Sequence, residues 1–371
     1  MVLTDIQKEL KEQAGRLLAE RATPDVLRRL ITDKAPWDKD LWASFAELGF
    51  LGAAIPEEYG GVGLGASDLC VIAEEVGRAV APIPFFSSIV LAAEAILLAG
   101  TAAQKSQWLP KLASGEVVAT FAWNEGPGAV SEHNIKTRFA GGTLSGVKAP
   151  VADASIAQIC VVVAASGGRP VLTLVELNQP GVTLTPMTGF DQLRYHAKIE
   201  FDGAKAEAMD AADASEVLRR LYDRAAVVEA FEQTGAAESA LYMARDYAMQ
   251  RYIFGRKLAS YQAIKHNLAN ILVMVELARS NALYAATVLD SDAPGLPAAA
   301  ATARLAATRA YEVAARENLQ THGGIGFTWE ANCHFHYRRA RLLALNLGSV
   351  EVWTDRLIEA LTAGNATARA A

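Results

Sequence analysis

The chain has 371 residues, of which 51% are hydrophobic, a composition that predicts a globular protein with two or three packed domains. Its formal net charge of -6 provides no basic surface to attract phosphate backbones, so nucleic-acid binding is not expected. The cysteines are odd in number, far apart and without a C-x-x-C pair, which argues against disulfides and a zinc site: Cys70, Cys160 and Cys333. This usage fits a reducing cytoplasm.

The first region, residues 1–118, is predicted to be helical. Amphipathic helices are expected at 38–48 and 66–80, and the Pro- and Gly-rich stretches "PEEYGGVGLG" and "APIPF" interrupt the helices. The most apolar run, 87–100, is too short to cross a bilayer and carries Glu94 in its middle. It predicts a buried helix, and no membrane association is expected.

The second region, residues 119–205, has a different character. Short β-branched runs such as "VVATFAW", "QICVVVAA" and "RPVLTLVEL" alternate with Gly, Pro and Asn. This pattern is typical of a compact β domain. We therefore expect strands here, between two helical regions.

The third region, residues 206–371, returns to long alanine-rich helices. The pattern predicts them at 215–251, 262–289, 296–322 and 333–363, each long enough to bury two faces in a bundle. The predicted fold class is therefore α+β but mainly α, with the order helices, strands, helices. A crevice where such layers meet is a natural place for a large ligand.

Two motifs in the third region suggest a phosphate-bearing ligand. Arg251 ends a helix in "RYIFGRKLASYQAIKH", and a guanidinium suits a diphosphate because it donates paired, charge-assisted hydrogen bonds. Adjacent glycines in "QTHGGIG" would let the backbone approach a ligand closely. Taken singly, each has an ordinary alternative: an arginine that caps helix carbonyls, and glycines that end a helix.

Clustered histidines near the C-terminus do not predict a metal site. His334 and His336 are two residues apart, so on a helix their side chains point to different sides. Interface or surface roles are expected for them, and no metal.

The segments "IPEEYGGVGLG", "RYIFGRKLASYQAIKH" and "QTHGGIGFTWE" together resemble, in order and spacing, recurring segments of the acyl-CoA dehydrogenase family. The resemblance covers nearly the whole chain. It implies an N-terminal α-helical domain, a central β-barrel-like domain and a C-terminal four-helix bundle. It also implies noncovalent FAD, α,β-dehydrogenation of an acyl-CoA thioester as in β-oxidation, and electron-transfer flavoprotein as acceptor.

The resemblance also assigns cofactor residues. FAD is gripped across a subunit interface in such proteins, which implies a dimer or a dimer of dimers. The positions that match are Arg251, Phe254, Gln262, Gln320, Gly323 and Gly324, with Asn124 and Ser131 in the flavin-contacting loop "FAWNEGPGAVSE". A second flavin segment, typically W-I-T-N, departs from the pattern: Pro150 replaces the aromatic residue and Ala152 replaces the hydroxyl.

The same resemblance locates the catalytic base, a glutamate in most relatives, at Leu347. Some relatives take the base from the helix before Arg251, where the matching position is Ala225. Asp223 could supply a displaced base, with Glu229 and Glu232 as alternatives on the same helix. Each carboxylate could equally be solvated or paired at an interface.

Two functions therefore remain open. The chain is either an active flavin dehydrogenase with a displaced base, foremost Asp223, or a noncatalytic subunit that completes the FAD site of an active homologue. Heteromeric members of the family that act on steroid or bile-acid side chains resemble the second. Both a homotetramer and a heterotetramer agree with the sequence.

Overall fold

The computed structural model describes residues 3–128, 131–132 and 134–370, with side chains up to residue 363. Its first part is helical. Residues 86–93 form a π-helix, and the α-helices are α1 Asp5–Arg21, α2 Pro24–Thr32, α3 Lys39–Glu47, α4 Ala66–Arg78, α5 Glu94–Ala99 and α6 Ala102–Ala113. The predicted buried helix at 87–100 is present as the π-helix followed by α5.

The second part forms one twisted, half-barrel sheet. Its strands are β1 Ala119–Ala122, β2 Arg138–Ala140, β3 Thr143–Ala152, β4 Ile159–Ser166, β5 Arg169–Glu176, β6 Val182–Met187, β7 His196–Lys205 and β8 Glu207–Ala208. The order is β6-β7-β3-β2-β4-β5-β8, and β1 pairs with β4 in parallel. The three predicted β-branched runs are confirmed as β1, β4 and β5. Residues 159–163 of β4 are fully buried, as their unbroken apolar sequence indicates.

The third part is a bundle of long helices. They are α7 Ala214–Gln250, α8 Gln262–Asp290, α9 Leu296–His322, α10 Cys333–Leu343 and α11 Val350–Ala370, with a small hairpin of β9 Tyr252–Ile253 and β10 Arg256–Lys257. The predicted single helix at 333–363 is wrong. Residues 344–349 break it, and Gly348 has a φ of 105°, a backbone conformation that no helix contains.

The fold class predicted from the sequence is confirmed, with helices at both ends and a sheet between them. Contacts group the chain into two compact units: one contains Met1–Pro24, Ala66–Ala81 and Ala226–Ala371, and the other contains Asp25–Gly65 and Pro82–Ala225. The first unit thus combines helices from both ends of the chain. The domain boundaries at 118 and 205 stay predictions.

A close helix crossing holds the first unit together. A Cβ atom added to Gly77 of α4 would lie 1.8 Å from the backbone oxygen of Glu232, and one added to Gly235 of α7 would lie 2.0 Å from that of Glu74. The missing side chains therefore let α4 and α7 touch backbone to backbone. Beside this crossing, buried Glu74 accepts hydrogen bonds from Lys11 of α1 and Arg279 of α8.

By length and composition alone, α8 could span a membrane. Apolar helices in the core of a bundle pass the same test, so this feature is weak evidence for a membrane. Several apolar side chains of α8 are exposed in the single chain, including Val273, Leu277 and Tyr284. These three side chains form an exposed apolar stripe of α8.

Candidate functional site

The two segments predicted to bind a phosphate-bearing ligand lie at the same end of the helical bundle. Tyr247, one turn before Arg251 on α7, stacks on His322 at the end of α9, with ring centroids 4.1 Å apart. The N–H of Leu258 donates to the Arg251 carbonyl oxygen over 2.7 Å, which folds the β9–β10 hairpin back onto the end of α7. The tertiary structure thus brings together two segments that are about 70 residues apart in the sequence, as binding of one ligand requires.

The predicted cofactor residues at this end are available for a ligand. Arg251, Phe254, Gln262 and Gln320 are all exposed, and no described carboxylate pairs with Arg251. Phe254 is 94% exposed, and its φ of 48° beside Gly255 places it at the tip of the hairpin. The backbone therefore holds this aromatic side chain away from the rest of the chain.

The glycine corner that follows α9 leaves room for close approach of a ligand. Gly323 has a φ of 63°, and a Cβ atom at Gly323 or Gly324 would meet nothing within 4 Å. Gly326 is different, because a Cβ atom there would lie 2.6 Å from the Leu319 oxygen. Two glycines are therefore open toward the surface and one is needed for packing. This corner and Arg251 fit a dinucleotide such as FAD.

The second set of predicted cofactor residues lies in the sheet. The Asn124 carbonyl oxygen accepts from the Ala149 N–H over 2.8 Å, and the Gly126 N–H donates to the Ala149 oxygen over 2.7 Å. The two predicted flavin segments are therefore adjacent. Ser131 donates its N–H to the Asn134 side chain over 3.0 Å. Ala129 and Val130 of the same loop lie outside the described residues.

Glu125 fixes the flavin-contacting loop to the sheet. It accepts hydrogen bonds from the Lys148 ammonium over 2.7 Å and from the N–H groups of Lys136 and Thr137. Burial acts to raise the pKa of Glu125, but these hydrogen bonds outweigh it and lower the pKa. The loop is therefore anchored by an ionised carboxylate.

The second flavin segment fits the cofactor less well than the bundle does. Pro150 is exposed and offers no flat aromatic face, and Ala152 has no hydroxyl group for a flavin ring. Asp153, which follows them, turns its carboxylate inward and accepts from the Ser87 hydroxyl over 2.6 Å. The bundle end thus has the residues predicted to hold FAD, whereas this part of the sheet departs from the predicted pattern at two positions.

Apolar side chains occupy both places where the family resemblance puts a catalytic base. Ala225 is 1% exposed and Leu347 is 3% exposed. The corner that holds Leu347 is well fixed, since the Trp353 indole N–H donates to the Leu347 oxygen over 3.1 Å. Neither position can take up a proton.

Asp223, the displaced base foremost in the sequence prediction, is 5% exposed. Its neighbours on α7 are engaged: Tyr222 packs against Phe121 and Trp123, and Arg224 forms an ion pair with Glu94. The assignment of Asp223 as a base stays a prediction.

The two alternative bases lie in a buried ionic network of the bundle. Glu229 is fully buried, 3.3 Å from the Arg304 guanidinium, and accepts from the Asn346 amide over 3.2 Å. Glu232 is 3.8 Å from the buried Arg339 guanidinium. Both carboxylates therefore neutralise buried arginines, a structural role, and their assignment as alternative bases also stays a prediction.

The sequence analysis did not identify these buried arginines. Arg304 is a single charge in the alanine-rich run "AAAATARLAAT", and a charge inside such a run signals a buried partner. Its guanidinium also donates to Gln233 over 2.8 Å. The network thus joins α7, α9 and the corner after α10.

The surface or interface roles predicted for His334 and His336 are wrong, because both side chains are buried within the helical bundle. The His334 ring stacks on Trp329, with centroids 5.0 Å apart. His336 is hydrogen bonded to Ser239 and Tyr311. Among the described residues, no group of three or more His, Cys, Asp or Glu side chains is arranged to hold a metal ion.

Most of the chain is similar to proteins of one known family. The family model for the acyl-CoA dehydrogenase N-terminal domain matches residues 4–116, and the model for the acyl-CoA dehydrogenase C-terminal domain matches residues 208–362. The acyl-CoA dehydrogenase IpdE2 of Mycobacterium tuberculosis is 32% identical over 332 residues, which cover 89% of each chain.

Two solved structures with the same fold each carry the names of two proteins. A variant of the steroid ACAD Tcur3481–Tcur3483 is 31% identical, with a TM-score of 0.89, and the match covers 97% of this chain and 98% of that one. A chain of the ChsE4–ChsE5 complex from Mycobacterium tuberculosis is 25% identical, with a TM-score of 0.90 and coverage of 97% and 98%.

Proposed function

Because the chain belongs to the acyl-CoA dehydrogenase family, we propose that it is a noncatalytic subunit of a heteromeric acyl-CoA dehydrogenase and completes the FAD site of a homologous partner. The observation that carries this proposal is the pair of buried apolar residues, Leu347 and Ala225, at the two places where relatives hold the base. Removal of the α proton requires a carboxylate within reach of the substrate. The partner would supply that carboxylate.

The buried network supports the same proposal. Glu229 and Glu232 are close to the two positions, but each is buried against an arginine. A carboxylate that left its arginine to accept a proton would leave a buried charge without its partner, which costs about 3–5 kcal/mol. Both are therefore poor candidates for a base.

The residues that would hold FAD are those at the end of the bundle. When bound, FAD accepts the hydride that leaves the β carbon of the acyl group. Arg251 would bind the diphosphate through paired hydrogen bonds, and the N–H groups of Gly323 and Gly324 would face the same ligand. The exposed amides of Gln262 and Gln320 would contribute further hydrogen bonds.

A partner subunit is supported by the surface of the single chain. Phe254 at the bundle end and the apolar stripe of α8 are exposed, and contiguous exposed apolar side chains are typical of interfaces. The ChsE4–ChsE5 structure is a complex, which makes a hetero-oligomer the favoured assembly. We further propose that the substrate has a bulky acyl group, such as a steroid side chain. Electrons would pass to electron-transfer flavoprotein, and the protein would be cytoplasmic.

Purification with and without a homologous subunit tests the proposal. We expect the chain alone to be colourless and to gain flavin only when it is coexpressed with a family member that carries the base glutamate. In the assembly, Arg251→Met should weaken FAD binding by about 10–100-fold, since a charge-assisted contact is lost. Arg245→Met, which removes an exposed arginine from the same helix, is the matched control. A yellow homo-oligomer that acyl-CoA reduces would contradict the proposal.

A second candidate function is a homomeric dehydrogenase in which Asp223 is the base. Its support is the burial of Asp223, because a carboxyl group shielded from water can be tuned for proton transfer. If the homo-oligomer reduces flavin with an acyl-CoA, Asp223→Asn should abolish that reduction while flavin stays bound. Glu216→Gln, an exposed position on the same helix, serves as the control.

A further inference from the structure

The sheet-containing unit has a surface cleft that the proposed function does not use. Its volume is about 650 Å³, within the range of small-molecule sites. Trp108 of α6, the Gly141–Gly142 turn, Leu174 and Glu176 of β5, and the segment Lys205–Glu207 surround it. All of these residues belong to the unit that contains Pro82–Ala225.

The cleft is far from the predicted flavin segments. Thr143, which lines the cleft, is the first residue of β3, and Ala152, beside the flavin segment, is the last. Lys148, which bonds Glu125 of the flavin loop, is five residue steps from Thr143 and Ala152 is nine, which correspond to about 17 and 30 Å along an extended strand. The cleft is therefore a separate site.

Hydrogen bonds fix the walls of the cleft. The Gln179 side chain donates to the carbonyl oxygens of Glu176 and Lys205, over 2.7 and 2.9 Å, and accepts from the Lys205 N–H over 3.1 Å. The Ala206 N–H donates to the Gly142 oxygen over 3.0 Å. Because these bonds use backbone groups, the cleft is formed without a ligand.

The lining combines an apolar floor with charges of both signs. Trp108 and Leu174 are buried and apolar. Glu207 is paired across the sheet with Leu174, and Glu176 lies two residues farther on the same face of β5, so both carboxylates stand beside the floor. Lys205 supplies an ammonium group. Neither Glu176 nor Lys205 has an ion-pair partner among the described residues.

We propose that this cleft binds a small zwitterion with an apolar side chain, such as a free aromatic amino acid. The ligand's ammonium group would lie at Glu176 and Glu207, its carboxylate at Lys205, and its side chain on Trp108 and Leu174. Gly141 and Gly142 have no side chains and leave the space open. This inference does not depend on the proposed function.

Calorimetric titration of the purified protein with three probes tests the inference. L-phenylalanine carries both charges, phenethylamine only the ammonium group and phenylpropionate only the carboxylate. We expect L-phenylalanine to bind about fivefold more tightly than either analogue, since one exposed ion pair is worth up to about 1 kcal/mol. Equal binding of the three probes, or no binding of any, would overturn the inference.

Single-residue variants test which protein side chain binds which charged group of the ligand. Lys205→Met should remove the advantage of L-phenylalanine over phenethylamine, and Glu176→Gln should reduce its advantage over phenylpropionate. Ala206→Trp should fill the cleft and abolish binding of all probes. Lys198→Met changes a lysine of β7 outside the cleft and should bind as the unaltered protein does. Binding that survives Ala206→Trp would place the ligand elsewhere and refute the assignment.

Discussion

Leu347 occupies the position at which the resemblance to the family predicts a catalytic base. The corner around Leu347 is otherwise intact, because the Trp353 indole holds the Leu347 oxygen and Gly348 supplies the φ of 105° that the turn requires. Whether position 347 can carry a base therefore depends on its side chain more than on the backbone conformation. Residue 347 can be substituted while the hydrogen bond from Trp353 and the turn at Gly348 are kept.

Leu347→Glu is expected to give this chain dehydrogenase activity. The measurement is acyl-CoA-dependent bleaching of flavin in an assembly whose partner has its own base glutamate replaced by glutamine. A positioned base contributes about 10²–10⁴-fold to such a rate, so bleaching should rise by that order. Leu347→Gln matches the size and polarity without the charge. Equal rates for the two variants would contradict the assignment of position 347.

His336 makes the stability of the bundle depend on pH. Burial, with Arg339 nearby, lowers the pKa of His336 from 6.5 to about 3, and its ring is hydrogen bonded to Ser239 and Tyr311. The folded chain thus binds fewer protons than the unfolded chain. The stabilisation is present above about pH 6.5 and is lost as the pH falls from 6.5 toward 3.

Urea unfolding at pH 7.5 and pH 5.5 should reveal this linkage. The unaltered protein is expected to lose about 1 kcal/mol of unfolding free energy to His336 over this range. His336→Gln cannot take up the proton, so its loss should be smaller by that amount, although it is less stable at both pH values. His266→Gln, at an exposed position on α8, should leave the pH dependence unchanged. An unaltered pH dependence in His336→Gln would disprove the linkage.

At the scale of elements, α4 and α7 cross in backbone-to-backbone contact. The two glycines allow backbone contact that no other residue permits, since a Cβ atom at Gly77 or Gly235 would lie 1.8–2.0 Å from an oxygen. Beside the crossing, Glu74 of α4 also forms ion pairs with Lys11 of α1 and Arg279 of α8. The crossing therefore sets the geometry of several helices together.

Gly235→Ala should destabilise the protein although alanine favours helix. The methyl group would force α4 and α7 apart, and overpacking of this kind costs about 3 kcal/mol, more than the gain of about 1 kcal/mol in helix propensity. The free energy of unfolding in urea measures the difference. Gly295→Ala, where a Cβ atom meets nothing within 4 Å, should change it by less than about 0.5 kcal/mol. Equal stability of the two variants would show that the crossing can relax.

At the scale of the whole molecule, α8 carries a stripe of exposed apolar side chains. Val273, Leu277 and Tyr284 of α8 are 57%, 58% and 64% exposed, and their spacing places them along one face of the helix. Such a stripe explains why α8 is apolar enough to resemble a membrane helix. In the proposed function, a partner subunit covers this stripe.

Leu277→Asp should therefore weaken assembly without unfolding the chain. A buried, unpaired carboxylate at an interface is costly, so sedimentation analysis should show a shift toward smaller species at equal concentration. Ala43→Asp adds the same charge at an exposed position on α3 and should leave the size distribution unchanged. If Leu277→Asp assembles normally, α8 is not the interface.

The amino-acid sequence by itself determined the class of the fold, the long helices and three of the strands. Helical and strand periodicity are local properties, so α7, α8 and α9 and strands β1, β4 and β5 could be located from it within a few residues. The predicted single helix over 333–363 was wrong because the glycine break at 348 lies within an otherwise helical pattern.

Only the tertiary structure decided what several charged residues do. Glu229 and Glu232 could be possible bases on a helix, and the fold places Arg304 and Arg339 against them from α9 and α10. Likewise, the stacking of Tyr247 on His322 brings the Arg251 and Gly323 segments to one end of the bundle. Contacts between distant parts of a chain depend on how its helices pack, and periodicity within each helix carries no information about which side chains meet.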